Sequence, residues 1–199
     1  MKAQSKPKVL PPIGTFPARV YKIIYLGTVK GEYQGVSNEN YKVSITWELP
    51  TKTHVFKEGG TAEPFSVSKV FTLSMGKKSA LRPVIEGMLG VSFTDDEAKG
   101  FNVDELMGQT CLIGIAHKET PEGKKVEIKS FSQTIDGMII PPAINAPKIL
   151  SYENFDKEYF MTLPKWIQDE MSKTPEFIKM NGGKVEDSLD DFGSDVPFV

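Results

Sequence analysis

The sequence predicts a mainly β chain, built as a small five-stranded barrel with a helix between its third and fourth strands. Two observations carry this. Two runs, Tyr41–Leu49 and Phe65–Met75, alternate apolar and polar residues with a period of two. The spacing then turns helical from Ser79 to Gly90, before two more β-rich runs joined by a turn. At 199 residues and 39% hydrophobic content, the chain is long enough to bury one core.

Residues 1–14 combine Lys2, Lys6 and Lys8 with Pro7, Pro11 and Pro12, without periodicity, and read as an extended, partly mobile arm. Phe16–Leu26 is β-branched and aromatic and reads as the first strand, with Arg19 and Tyr21 sharing a face with Ile23 and Tyr25. Gly27–Asn40, with Gly31, Gly35, Asn38 and Asn40, reads as a loop. In the second strand Tyr41, Val43, Ile45, Trp47 and Leu49 form a core face, and Lys42, Ser44, Thr46 and Glu48 a wet one. Pro50 is expected to end that strand, leaving Thr51–Pro64 as a loop. The third strand follows, with Phe71, like Trp47, expected in the core.

Leu81, Val84, Ile85, Met88 and Leu89 share one helical face; Ser79 is the expected N-cap and Gly90 the stop. A further helical turn is expected over Phe101–Met107, capped by Asn102 or Asp104. Gln109–Ala116 and Lys124–Thr134 read as strands joined by a turn at Glu119–Gly123. Three strands, a helix and two strands form the order of the OB-fold, a five-stranded Greek-key barrel, and residues 15–140 are expected to form it.

Beyond it, 141–184 reads as a connector stiffened by Pro141, Pro142 and Pro147, then short helices over Phe155–Met161 and Pro164–Met171. Their Phe155, Tyr159, Phe160, Trp166, Ile167 and Met171 are able to pack on the barrel wall or on a second subunit, which leaves a homo-oligomer open.

Catalytic inventory is poor. His54, His117 and the lone Cys111 make neither a zinc cluster nor a Cys-His pair of recognisable spacing. Gly76-Lys-Lys-Ser79 fails as a Walker A loop, because the pattern requires an earlier glycine where Phe71 stands. Asp95-Asp96 reads as a solvated turn. The expectation is a binding protein that is not an enzyme and has no metal or cofactor. One cysteine excludes an intramolecular disulfide framework and fits a reducing compartment. No apolar run has signal-peptide or membrane-span length, so a soluble, cytoplasmic protein is expected.

Charge is unevenly distributed. Residues 1–150 carry 19 Lys and Arg against 15 Asp and Glu, while 151–199 carry 5 against 11. A mildly basic body with an acidic end suits a polyanion ligand. Single strands are held by aromatic platforms beside cations, since every base offers a π-face. The candidates are Arg19 and Tyr21 on the first strand, Lys30 and Tyr33 on the first loop, and Lys42 on the second strand. Lys52 and Phe56 lie on the second loop, Lys69 on the third strand, and Lys118, Lys124 and Lys125 about the last hairpin.

The last stretch, 185–199, holds Glu186, Asp187, Asp190, Asp191 and Asp195 with no balancing cation, interrupted by Gly193 and Pro197, and is expected to be unfolded and solvated. Val196-Pro-Phe-Val199 closes it, with Phe198 able to enter an apolar pocket while the carboxylates meet a basic rim. These residues resemble the C-terminal tip of bacterial and phage single-stranded-DNA-binding proteins, an aspartate-rich run ending in Pro-Phe, here with Val199 following. The phage type is the better match, since the body departs from the small bacterial protein. The resemblance implies an OB body that protects single-stranded DNA during replication, recombination or repair. It further implies that Asp190, Asp191, Phe192, Asp195, Val196, Pro197 and Phe198 recruit replication or recombination proteins, in the host cytoplasm if phage-encoded. The competing reading is an OB-fold protein-protein module that binds no nucleic acid.

Overall fold

The computed structural model of the chain describes residues 9–33 and 36–183. The first eight residues and the acidic tail at 185–199 therefore lie outside the described residues. The chain is mainly β. Strands β1 (Gly14–Tyr33), β2 (Val36–His54), β3 (Glu63–Thr72), β4 (Thr110–Thr120) and β5 (Gly123–Ser132) form one antiparallel sheet in the order β3-β2-β1-β4-β5. A short β6 (Lys148–Leu150) pairs parallel with β1 at Lys22–Ile24. Helix α1 (Leu81–Leu89) stands between β3 and β4, followed by α2 (Asp95–Gly100) and a 3-10 turn at Val103–Leu106. Helices α3 (Lys157–Thr162), α4 (Lys165–Met171) and α5 (Pro175–Met180) end the described chain.

Several expectations are corrected. Gly27–Asn40 is not a loop but the outer half of a long β1–β2 hairpin, whose pairing runs to Tyr33 opposite Val36. An antiparallel ladder satisfies these backbone groups despite the glycines. Gly27 sits at a register shift with φ 92, a conformation glycine adopts without strain. Pro50 does not end β2, because a second shift between Leu49 and Thr53 removes the need for its N–H in the ladder. Asp95 and Asp96 open α2, which Thr94 and Glu97 begin with a reciprocal capping box. At α1 the Ser79 hydroxyl accepts the Arg82 N–H at 3.2 Å, as expected of a cap, although the helix span itself opens one residue later, after Ala80; Gly90 ends it in the left-handed region as expected.

The wet face expected on β2 is also buried: Ser44, Thr46 and Glu48 are shielded as fully as Val43, Ile45 and Trp47. The sheet has two covered faces. On one, Trp47, Ile45, Ile23 and Phe71 pack with Leu81, Ile85 and Met88 of α1 and with Ile113 and Ile115 of β4. Gly87 lets α1 approach β5, since a Cβ there would stand 2.7 Å from the Phe131 carbonyl oxygen. On the other face, the C-terminal segment brings Leu150, Phe160, Leu163, Ile167 and Met171 onto Ile24 and Leu26. The connector and helices expected to flank the first five strands thus form a layer on the sheet, with β6 and α5 added; Trp166 alone of their expected packing residues stays largely exposed.

Candidate functional site

β3 and β5 are the two edges of the sheet, and neither has a further strand partner among the described residues. The sheet curls so that they face each other: Phe65, Val67 and Phe71 of β3 join the same core as Val126, Ile128 and Phe131 of β5. Phe131 meets Trp47 with ring centroids 5.0 Å apart. A groove of about 910 Å³ opens along this seam and continues onto the second face of the sheet.

Five of the expected binding residues line it: Tyr21, Phe56, Lys69, Lys124 and Lys125. Lys118 lies opposite Lys125 in the β4–β5 ladder. The cations act on one another's surroundings, since the Lys129 ammonium, backed by Lys118 and Lys69, holds Glu127 below the usual carboxylate range despite partial desolvation. Lys124 and Lys125 hold Glu119 at 3.4 Å and Glu122 at 2.6 Å. Such exposed pairs are weak and exchange readily for another anion. Phe56 is 45% exposed at the groove mouth, propped edge-on against Phe65 at 5.3 Å and against His54 at 5.0 Å.

Tyr21 reaches the groove because of a bulge between Val20 and Lys22. The bulge corrects the face expected from alternation: Ile23 and Tyr25 join the core with Val20, while Arg19 lies opposite Glu48 on the other face. Tyr25 instead donates its hydroxyl to Asp104 Oδ1 at 2.7 Å. Burial raises the Tyr21 hydroxyl above the ordinary tyrosine range.

The other candidates stand elsewhere. Arg19 donates to the Pro141 carbonyl at 2.9 Å and fastens the connector. Lys30, on the hairpin arm, pairs with Glu39 at 3.6 Å. Lys42 donates to Thr72 Oγ1 at 2.8 Å, and the Lys52 ammonium lies 4.9 Å over the Phe16 ring. Tyr33 ends β1, and its side chain lies outside what is described, as do the tail residues Asp190 to Phe198.

Sequence reasoning missed Lys22, Trp166 and the segment Val9–Pro11, all of which line the groove. The part of the expected mobile arm that is described is held in place: Pro11 is buried, and its carbonyl pairs with His117 Nε2 at 2.8 Å. Only an aromatic in a helix whose neighbours form the apolar stripe could have signalled Trp166.

A second cavity of about 600 Å³ lies between the end of β3 and α2, lined by Tyr25, Met75, Lys77, Arg82, Lys99 and Phe101. Its main cation is already engaged: Arg82 binds Glu86 and Asp95, each at 3.0 Å, and the Phe93 carbonyl. Among the described residues no cluster of three His, Cys, Asp or Glu could hold a metal ion, and no helix is long and apolar enough to cross a membrane. No protein-family model matches the chain, and no curated protein is significantly similar to it.

Proposed function

We propose that this chain binds single-stranded DNA, with little sequence preference, along the groove between β3 and β5, and serves phage-type DNA replication, recombination or repair. The observation that carries the reading is the gathering of Tyr21, Phe56, Lys69, Lys124 and Lys125 about one open seam. Aromatic faces for bases beside ammonium groups for phosphates are what sequence-tolerant single-strand binding requires. The strand order β3-β2-β1-β4-β5 with a helix between β3 and β4 supports an OB-type barrel whose closing β3–β5 contact is replaced by the groove. The acidic C-terminal stretch, through Phe198, recruits partner proteins in this reading.

The test is a titration of the full chain against labelled oligo-dT, duplex DNA and RNA at several salt concentrations. Preference for oligo-dT over duplex, with affinity falling as salt rises by roughly 0.7 log units per tenfold salt for each phosphate neutralised, is the expected result. A protein-protein module on the same fold would leave oligo-dT unbound, and equal affinity for duplex and single strands would remove the proposal.

A further inference from the structure

We propose that the nucleic-acid path leaves the β3–β5 seam and continues onto the second face of the sheet, where Trp166 stacks on a base and the Lys22 ammonium takes the neighbouring phosphate. This rests on the single-strand reading above and extends it to a subsite formed jointly by β1 and the C-terminal helices.

The first observation is the orientation of α4. An amphipathic helix ordinarily turns its largest apolar side chain inward. Here Ile167 and Met171 are buried in the second cluster beside Ile24, whereas Trp166 is 53% exposed and lines the groove. The other tryptophan, Trp47, is fully buried, so the exposed indole is not a general feature of the chain. Residues of α4 adjoining Trp166 are anchored by Gln168, whose side-chain amide donates to the Leu163 carbonyl at 2.7 Å. The backbone that carries the indole is therefore fixed, which limits the ordering required on binding.

The second observation is Lys22. It lines the same groove, lies opposite Thr46 in the β1–β2 ladder, and is partly withdrawn from solvent. Burial holds its ammonium pKa below the ordinary lysine range. Lys124 and Lys125 each hold a carboxylate; no carboxylate among the described residues lies within ion-pair distance of Lys22. The Tyr21 ring stands beside it instead, its centroid 5.5 Å from Nζ. An ammonium partly removed from water without a counter-charge is costly until an anion arrives.

Two sets, each of a cation and an aromatic, line the groove: Lys69 on β3 with Phe56 on the loop before it, and Lys22 on β1 with Trp166 on α4. A strand that presents one phosphate and one π-face per nucleotide matches both.

Intrinsic fluorescence tests this directly, because Trp47 is buried and Trp166 is the exposed emitter. Oligo-dT is expected to quench the full chain and to leave Trp166→Phe unquenched. In parallel, anisotropy of labelled oligo-dT is expected to show Trp166→Ala weakening binding by about five- to hundredfold, the range for loss of one base stack. Lys22→Gln is expected to weaken binding by several-fold, with Lys22→Arg close to wild type. Normal oligo-dT affinity in Trp166→Ala and Lys22→Gln, with no quenching of the wild type, would overturn the subsite and leave the seam intact. Failure of the wild type to bind oligo-dT would overturn both. Equal quenching by poly-glutamate would reassign the subsite to an acidic protein segment and overturn it as a base-stacking site.

Discussion

Glu48 and Asn145 are joined through a single carboxylate oxygen: Oε2 accepts from the Asn145 backbone N–H and from its side-chain amide, each at 2.9 Å. The other oxygen, Oε1, accepts from the Ile144 N–H at 3.1 Å. A carboxylate in the middle of β2, wholly removed from solvent, thus organises the turn of a connector almost a hundred residues later. Buried charge is tolerated here because three donors surround it.

Glu48→Ala is expected to destabilise the fold by about 2 to 4 kcal/mol, since it strands two backbone donors beneath the C-terminal layer. Urea unfolding followed by circular dichroism measures this. A midpoint equal to wild type would mean that water replaces the carboxylate and that the connector is only loosely seated.

At the groove, Lys69→Ala, Lys124→Ala and Lys125→Ala combined are expected to lower oligo-dT affinity and to flatten its salt slope by roughly 0.7 for each phosphate that is no longer neutralised. Phe56→Ala is expected to cost about 1 to 3 kcal/mol of binding with the salt slope unchanged, as a stacking platform should. A triple variant with the wild-type slope would place the phosphate path elsewhere.

Glu176 of α5 receives the Thr28 backbone N–H at 2.9 Å and the Thr28 hydroxyl at 2.6 Å, and so clamps the helix to β1. Partial burial pushes its pKa up, but the Thr28 bonds outweigh this and leave it below the ordinary carboxylate value. A depressed folded pKa contributes stability above the unfolded value, near about 4.3, that is lost as pH falls through the folded one. Glu176→Gln should therefore be less stable than wild type at neutral pH, with the gap narrowing as the pH is lowered through that window. A gap that stays constant into acid would show that the contact is independent of charge.

Cys111 lies in the core of β4, and burial pushes its thiol up to about 12. Labelling by a disulfide reagent at neutral pH should proceed only through unfolding, at a rate that rises with urea in step with global opening. Fast labelling in native buffer would reveal local opening of the β1–β4 pair.

For the acidic end, Phe198→Ala keeps all five carboxylates of 186–199. It is expected to abolish capture of a purified replication or recombination partner while leaving oligo-dT affinity unchanged. Deletion of 186–199 should leave that affinity equal or higher, because a tethered polyanion no longer competes for the cations. Weaker DNA binding after deletion would count against the tail as a recruiting segment.

Alternation and helical spacing alone determined that β1 to β5 and α1 exist, and in what order, because periods of two and 3.6 record which side chains one surface takes up. Trp47 and Phe71 were legible as core for the same reason. Where the sequence misled, the deciding partner lay far along the chain. Glycines in 27–40 signal a loop locally, yet β2 supplies a ladder for each of the paired positions. The polar side of β2 reads as solvent-facing, yet Ser44, Thr46 and Glu48 are buried, and Asn145 of the distant connector binds the Glu48 carboxylate.

The groove shows the same division. Its lysines and Phe56 stand out in the sequence as charge and exposed aromatic character, but only the tertiary structure decided which of them meet. The bulge after Val20 shifts the parity of β1, so Tyr21 turns to the groove while Ile23 and Tyr25 turn to the core. One inserted residue in a ladder reverses the facing of the side chains that follow, here up to the next shift at Gly27, and a count along the strand does not register that insertion. Trp166 and Lys22, separated by most of the chain, share one groove only because the C-terminal layer folds back over β1. Local sequence determines which elements form; contacts between distant segments determine which of their faces remain open to a ligand.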